Sequence, residues 1–231
     1  MRNPARDDTV FSMCGRFTLH VPPELIAEIF GAPLPVDYRP RFNVAPTQIH
    51  PVVRWGNERK EITSMRWGLI PSWAQDQRLG FSMINARSET VAMKPAFRGS
   101  LHTRRCLVLS DGFFEWRHEG KEKEPFYISL KGGGLMPYAG LWDHWRAPEG
   151  EILETFTVIT CASNELMQKL HDRMPVILER KDYDTWLNPA FPPERAMGLL
   201  RPYPAGKMTL WKVGPLVNNP KNDSEECIRK L

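Results

Sequence analysis

The sequence of 231 residues contains few cysteines and no long apolar run. Its four cysteines, Cys14, Cys106, Cys161 and Cys227, form no Cys-x-x-Cys spacing, so neither a zinc site nor a disulfide framework is expected. No stretch approaches the roughly 18 apolar residues that a membrane span needs. Residues 1–12, MRNPARDDTVFS, lack the apolar segment of a signal peptide. We therefore expect a reduced cytoplasmic protein in which residues 1–12 form a disordered leader.

The overall composition is that of an ordinary globular domain. Hydrophobic residues make up 42% of the chain and charged residues 25%, while 21 prolines predict many turns and short elements. The net charge of +4 permits an acidic partner such as nucleic acid without requiring one. No repeat or linker divides the chain, and we expect a single domain over residues 13–231.

Apolar alternation and turn residues predict more strands than helices. Residues 49–55 and 61–67 read as a hairpin around Gly56-Asn57. A helix is expected from Pro23 to Gly31, another after Ser88 as N-cap, and a third over residues 165–170 with Asn164 as N-cap. Residues 176–178 read as a strand. The predicted fold class is α+β, a single domain on a curved, barrel-like antiparallel sheet with short flanking helices.

The segment Met13-Cys14-Gly15-Arg16-Phe17 would be special at a true amino terminus. If the chain began at Cys14, this residue would carry a thiol and an α-amine on adjacent carbons, both with ordinary pKa values of roughly 8. An aldehyde condenses with such an amine to an imine, and the thiol then closes a five-membered thiazolidine ring. An internal cysteine cannot react in this way, and the alternative is an ordinary buried cysteine.

Three more polar residues stand among apolar neighbours. They are Asn85 in INARSET, Glu115 in DGFFEW and His171 in LHDRMPVIL. Each has a structural alternative: turn chemistry for the asparagine, a solvent-facing position for the glutamate, and a helix C-cap for the histidine.

Taken together, the motifs of the chain resemble one family. The segments MCGRF, RFNVAP, WGLIPSWA, INARSET, RRCLV with DGFFEW, and LHDRMPVIL stand in the order and at roughly the spacing of the SOS response-associated peptidase (SRAP) family of abasic-site processing proteins. The resemblance spans residues 13–219. It implies an enzyme of the DNA damage response that binds single-stranded DNA and forms a thiazolidine crosslink with the ring-opened abasic sugar, thereby shielding the lesion.

The resemblance also implies roles for the four polar residues. Cys14 would be the nucleophile, and Asn85 would fix its main chain. Glu115 would act as acid and base near the α-amine, with a pKa raised by its aromatic neighbours. His171, favoured in its protonated form by Asp172, would assist opening of the sugar ring and the lyase-like reverse reaction.

We expect the DNA to lie against basic and aromatic residues around this site. Trp67 is assigned to the core. The predicted DNA contacts are Arg16, Asn43, Pro46, Trp73, Arg87, Arg98, Arg104 and Arg105. No cofactor, metal or membrane is expected as a partner, and the protein is expected to be a monomer, associated with the nucleoid in a bacterium.

The residues before Cys14 depart from the family pattern, because a peptide bond takes the place of the required amine. Three explanations remain open: initiation at Met13, removal of a propeptide by the protein itself, or a degenerate member that only binds DNA. Two other functions accordingly remain alternatives. One is a thiol peptidase or autopeptidase with Cys14 as nucleophile and His171 as base, and the other is a non-catalytic reader of damaged or modified DNA.

Overall fold

The computed structural model describes residues 15–120 and 122–231, so Cys14 and the expected leader lie outside the described residues. The strands are β1 (Phe17–Leu19), β2 (Arg41–Val44), β3 (Ile49–Trp55), β4 (Lys60–Trp67), β5 (Asn85–Arg87), β6 (Arg105–Val108), β7 (Gly112–Glu119), β8 (Glu122–Leu130), β9 (Tyr138–Arg146), β10 (Ile152–Ala162), β11 (Arg173–Pro175) and β12 (Met208–Lys212). The α-helices are α1 (Pro23–Phe30), α2 (Pro95–Thr103), α3 (Tyr183–Leu187) and α4 (Pro193–Ala196).

The strands form two sheets. One has the order β12-β8-β7-β1-β2. In the other, β3 pairs with β4 and β6, β6 with β9, β9 with β10, and β10 with β4, so these five strands close into a ring. The α+β, barrel-like single domain is therefore confirmed. The sheet is mixed rather than purely antiparallel, because β10 runs parallel to β4 and β5.

Aromatic side chains join the two sheets. Phe17 of β1 contacts Trp67 with ring centroids 4.7 Å apart, and Trp67 stacks on Phe156 of the barrel at 6.2 Å. The indole of Trp67 is fully buried and donates to the carbonyl of Ile84 at 2.9 Å. This burial confirms the core assignment of Trp67, and the indole bond satisfies the one polar group that it brings into the core.

The local expectations have mixed outcomes. The hairpin of β3 and β4 and helix α1, which ends at Gly31 with φ 65°, are confirmed. Ser88 as an N-cap is wrong, because residues 88–93 form turns and α2 begins at Pro95. Asn164 does cap with its side chain, accepting from the Met167 N–H at 3.0 Å, although only a 3₁₀ turn follows. The strand expected at 176–178 lies at β11 instead.

The helices of the described ranges are all too short or too polar to cross a membrane.

Candidate active site

The first strand brings the chain into the fold beside Glu115. In the antiparallel pair of β1 and β7, Phe17 lies opposite Phe113, and the Phe114 N–H donates to the Arg16 carbonyl at 3.0 Å. Continued by two residues, the same register places Gly15 opposite Glu115. Cys14, one peptide bond before Gly15 in sequence, lies outside the described residues.

Glu115 is buried, with 5% of its surface exposed. Successive side chains of a strand point to opposite faces, so Glu115 shares its face with Phe113 of the main core. Phe114 and Trp116 belong to a second apolar cluster on the other face. Of its three aromatic neighbours in DGFFEW, Phe113 alone shares the face of Glu115, and the solvent-facing alternative is wrong. Its carboxylate accepts from the Trp116 N–H at 3.2 Å.

Asn85 is the first residue of β5 and lies opposite Val158 of β10. The preceding carbonyl, that of Ile84, accepts from the Val158 N–H at 3.0 Å and from the Trp67 indole at 2.9 Å. Because Trp67 also contacts Phe17, a short path of buried groups connects the backbone of Asn85 to the start of β1. The motifs MCGRF and INARSET, which lie about seventy residues apart in sequence, are thus both held by the buried Trp67 side chain.

His171 stands just before β11, and its ring Nδ1 lies 2.6 Å from a carboxylate oxygen of Asp172. The Arg173 N–H also points at Nδ1, from 3.2 Å. The shorter contact requires a proton on Nδ1 that is donated to the carboxylate, which leaves Nε2 as the acceptor of the neutral ring.

The protonation of His171 differs from the sequence-based expectation. Burial lowers the pKa of this imidazole, Asp172 partly opposes that effect, and His118 and Arg173 lower it slightly further. The net direction is below the ordinary value, so the neutral form is favoured near pH 7 and the expectation of a protonated ring is wrong. Desolvation of a half-buried ring outweighs a carboxylate that is itself 84% exposed.

An ion pair that the sequence analysis missed connects two of the motifs. Strand β10 lies between β5 and β11, with Thr160 opposite both Arg87 and Pro175. Across it, the guanidinium of Arg173 binds both carboxylate oxygens of Glu89, at 2.5 and 2.8 Å. The sequence offered one indication of this ion pair, because INARSET carries the acidic Glu89 and LHDRMPVIL the basic Arg173. The pair holds the segments of Asn85 and His171 on either side of one strand.

The predicted DNA contacts divide into exposed and buried residues. Trp73 is 61% exposed, and Arg87 and Arg98 are also exposed. Pro46 is half-buried, and Arg104 is half-buried beside Asp143, with Nε 3.2 Å from the carboxylate.

Arg105 and Asn43 are corrections to the predicted DNA interface, whereas Arg16 is half-buried and its contact with DNA stays a prediction. Arg105 is 2% exposed, and its guanidinium donates to the backbone carbonyls of residues 101, 102, 186, 188 and 191. Asn43 is fully buried, and its amide donates to three carbonyls between residues 217 and 222. Arg16 donates to Asn43 and to the Val217 carbonyl. Arg105 and Asn43 direct their polar groups to internal carbonyls, which keeps these two buried side chains from DNA.

The described cysteines are poor nucleophiles. Cys106, Cys161 and Cys227 are buried thiols. Burial raises the pKa of Cys161 to about 12 and that of Cys106 further still. Thiolate character at neutral pH is therefore suppressed at both residues. Within residues 15–120 and 122–231, no group of three or more His, Cys, Asp and Glu side chains is arranged to hold a metal ion.

Comparison with known proteins gives consistent matches. Residues 13–220 match the sequence model of the SOS response associated peptidase (SRAP) family. The chain is 46% identical over 222 residues to abasic site processing protein YoqW of Bacillus subtilis, covering 94% of this chain and 99% of that protein. It is 34% identical to abasic site processing protein HMCES of Gallus gallus, covering 83% and 66%. A crystal structure from Bacteroides thetaiotaomicron superposes with a TM-score of 0.86 at 28% identity, covering 94% and 100%.

Proposed function

Because the chain belongs to the SRAP family, and relatives similar over nearly its whole length are named abasic site processing proteins, we propose that it processes abasic sites in DNA. The reaction is covalent capture of the ring-opened sugar aldehyde by Cys14. The observation that carries this proposal is the register of β1 and β7, which leads the chain at Gly15 to the buried carboxylate of Glu115.

The capture requires two bond-forming steps. The α-amine of Cys14 attacks the aldehyde carbon, and loss of one water gives the imine. The thiol sulfur then adds to the imine carbon while its proton passes to the nitrogen, which closes the thiazolidine ring. Glu115 serves as the acid and base for these proton transfers, because it is the buried carboxylate beside the entry of the chain. Neither step changes an oxidation state or needs a cofactor.

His171 acts on the sugar. In the neutral ring Nδ1–H is held by Asp172, and Nε2 accepts the proton of the C1 hydroxyl as the bond from C1 to the ring oxygen breaks. His171 then passes this proton to the departing ring oxygen, which gives the aldehyde and a free hydroxyl, and it moves the proton back when the adduct is released and the sugar closes. Asn85 fixes the main chain of Cys14 from the edge of β5.

The DNA partner is single-stranded at the lesion. A pocket that reaches the sugar aldehyde needs a splayed strand, and the exposed indole of Trp73 offers a stacking surface. Arg87, two residues after Asn85 and exposed, contacts a flanking phosphate, with Arg98 as a further contact.

A second candidate function is thiol peptidase activity. It is favoured by the His171–Asp172 pair, in which a carboxylate orients the imidazole through Nδ1, as in a general base for a thiol. Removal of residues 1–13 by the protein itself would need one turnover and would expose the amine of Cys14, so both functions are compatible in one site.

The test compares two forms of the protein, one starting at Cys14 and one starting at Met1 with cleavage excluded by intact mass. Each is incubated with single-stranded DNA carrying one abasic site, and the products are separated under denaturing conditions. We expect a heat-stable adduct only for the form starting at Cys14. An adduct carried by a chain that still starts at Met1 would rule out the thiazolidine mechanism.

The variant Cys14→Ser is the matched control. It retains the amine and a hydroxyl in place of the thiol, so the imine can form but the thiazolidine cannot. We expect non-covalent DNA binding to persist while the stable adduct is lost. A wild-type chain starting at Cys14 that binds abasic DNA but forms no adduct would instead indicate a reader.

A further inference from the structure

The chain after β12 crosses from one edge of the five-stranded sheet to the other. We call residues 214–231 the C-terminal segment. At the β12 edge the Leu231 N–H donates to the Lys212 carbonyl at 3.1 Å. At the β2 edge the carboxylate of Asp223 accepts from the N–H groups of Phe42 at 2.5 Å and Asn43 at 2.9 Å. Because β12 and β2 are the two edge strands, the segment covers backbone groups that would otherwise be unpaired.

The inner side of the C-terminal segment holds Arg16. The guanidinium donates to the Val217 carbonyl at 2.6 Å and to the side-chain oxygen of Asn43 at 2.9 Å. It also lies 5.9 Å from the centre of the Trp116 ring, and the Trp116 indole donates to the side-chain oxygen of Asn218 at 2.8 Å. Arg16 is thus held from several directions.

Arg16 lies at the point where its restraint matters for the reaction. Its carbonyl accepts the Phe114 N–H, and Gly15 before it faces Glu115 in the strand register. In a chain that begins at Cys14, no preceding backbone holds this end, and free termini fray unless they are tied down. The side chain of Arg16 holds this end in place by donating to carbonyl oxygens of the C-terminal segment.

We propose that the C-terminal segment is a positioning element for the amino-terminal cysteine, with Asp223 as the residue that fixes it against β2. This inference rests on the proposed function, since it concerns the geometry of capture by Cys14. The match to the family model ends at residue 220, three residues before Asp223. Misplacement of a reacting group by about 1 Å costs on the order of 100-fold in rate, so partial loosening is expected to cost about tenfold.

The test uses the full chain starting at Cys14 and the variant Asp223→Asn, which keeps the shape of the side chain and removes its charge. The control is Glu226→Gln, which removes the charge of an exposed carboxylate that pairs with Arg229, three residues away, at 3.0 Å. Two quantities are measured: the single-turnover rate of adduct formation, and the Kd for single-stranded DNA carrying an unreactive tetrahydrofuran abasic analogue.

We expect Asp223→Asn to slow capture about tenfold while the Kd stays within about twofold, and Glu226→Gln to match the wild type. A general loss of stability would change the capture rate and the Kd together, whereas a loss of positioning changes the rate alone. Capture at the wild-type rate by Asp223→Asn, or a raised Kd with an unchanged rate, overturns the proposal. If Asp223→Asn does not fold, Asn218→Ala, which removes the side-chain bond to Trp116, takes its place with an expected slowing of about threefold.

Hydrogen exchange separates a failure of this inference from a failure of the proposed function. The Phe114 amide is protected by the Arg16 carbonyl, so its exchange is expected to accelerate at least about fivefold in Asp223→Asn and to stay unchanged in Glu226→Gln. Unchanged exchange at Phe114 contradicts the positioning role whatever the chemistry. A wild-type chain that forms no adduct, with exchange accelerated as expected, contradicts the proposed function alone.

Discussion

The two faces of strands β1 and β7 carry residues from the same motifs but pack against different parts of the molecule. One face presents Phe17, Phe113 and Glu115 to the core that joins the two sheets. The opposite face presents Arg16, Phe114 and Trp116 to the C-terminal segment. Strand alternation therefore divides each motif between the face that carries the proposed reaction, called the reactive face, and a supporting face, and membership of a motif does not by itself assign a residue to the chemistry.

The largest effect that tests this comparison is expected on the reactive face. Glu115→Gln keeps the shape of the side chain but removes its charge and its capacity to exchange a proton. General acid and base catalysis contributes about 10²- to 10⁴-fold, so single-turnover capture should slow by that factor. The control on the opposite face is Trp116→Phe, expected to change the rate less than tenfold. Equal losses in the two variants would remove the distinction between the faces.

On the supporting face the expected effect is on stability. Asn43→Ala removes the donor of three carbonyls near the C-terminal segment and the acceptor of Arg16. The Val217 carbonyl keeps Arg16 as a donor, and the Asn219 carbonyl keeps the Asn222 N–H. The cost is therefore that of the lost bonds, about 1 kcal/mol each, or about 3 kcal/mol in the free energy of unfolding. Urea denaturation measures this loss. Gln77→Ala, at an exposed amide, should change the free energy by less than about 0.5 kcal/mol.

Sequence reasoning found the residues whose roles depend on local pattern. The hairpin around Gly56-Asn57 and the burial of Trp67 follow from periodicity and residue size, which neighbours in sequence determine. Arg105 and Asn43 were assigned to DNA, because an arginine or asparagine near a motif is most often exposed. Three of the five carbonyls that Arg105 binds lie more than 80 residues away, and those that Asn43 binds lie more than 170 residues away, so no local pattern reveals them.

The predicted direction of the His171 pKa shift was wrong for a related reason. The neighbouring Asp172 is visible in sequence and raises the pKa, whereas the burial that lowers it more strongly comes from packing. A charge partner can be read from adjacent residues, but desolvation needs the fold.

The core behind the reactive face should make the protein sensitive to acid. His50 is 1% exposed and packs edge-on against Phe17 at 4.7 Å, and burial lowers its pKa to about 3. The unfolded chain binds this proton at the ordinary value near 6.5, so the stabilising contribution is present above that pH. It is lost as pH falls from about 6.5 toward 3, by about 1.4 kcal/mol per unit, or about 2 kcal/mol at pH 5.

The measurement is the free energy of unfolding at pH 7 and pH 5. His50→Gln, which keeps an N–H donor for the Leu109 carbonyl, should lose about 2 kcal/mol less than the wild type between these values. His144→Gln, at a ring whose side chain is 54% exposed, is the control and should follow the wild type. A wild-type slope in His50→Gln would mean that another group carries the acid sensitivity.

The smallest expected effect lies at the exposed rim of the reactive face, where Arg87 is proposed to contact one phosphate. Each phosphate neutralised on a single strand contributes about 0.7 to the slope of log K against log salt concentration, because it releases condensed counterions. Arg87→Ala should therefore lower the magnitude of that slope by about 0.7, while the rate of capture at saturating DNA stays near the wild-type value.

Arg146→Ala is the matched control for Arg87, since Arg146 is also exposed and also belongs to a strand that flanks β10. It lies opposite Ile152, eight residues along β10 from Thr160, which faces Arg87. At about 3.3 Å per residue the two positions are separated by about 26 Å of strand, beyond the Debye length of about 10 Å at 0.1 M salt. The slope of Arg146→Ala should equal that of the wild type. If both variants lower the slope equally, the two arginines act through net charge alone. The DNA strand would then not follow β5, the strand that begins at Asn85.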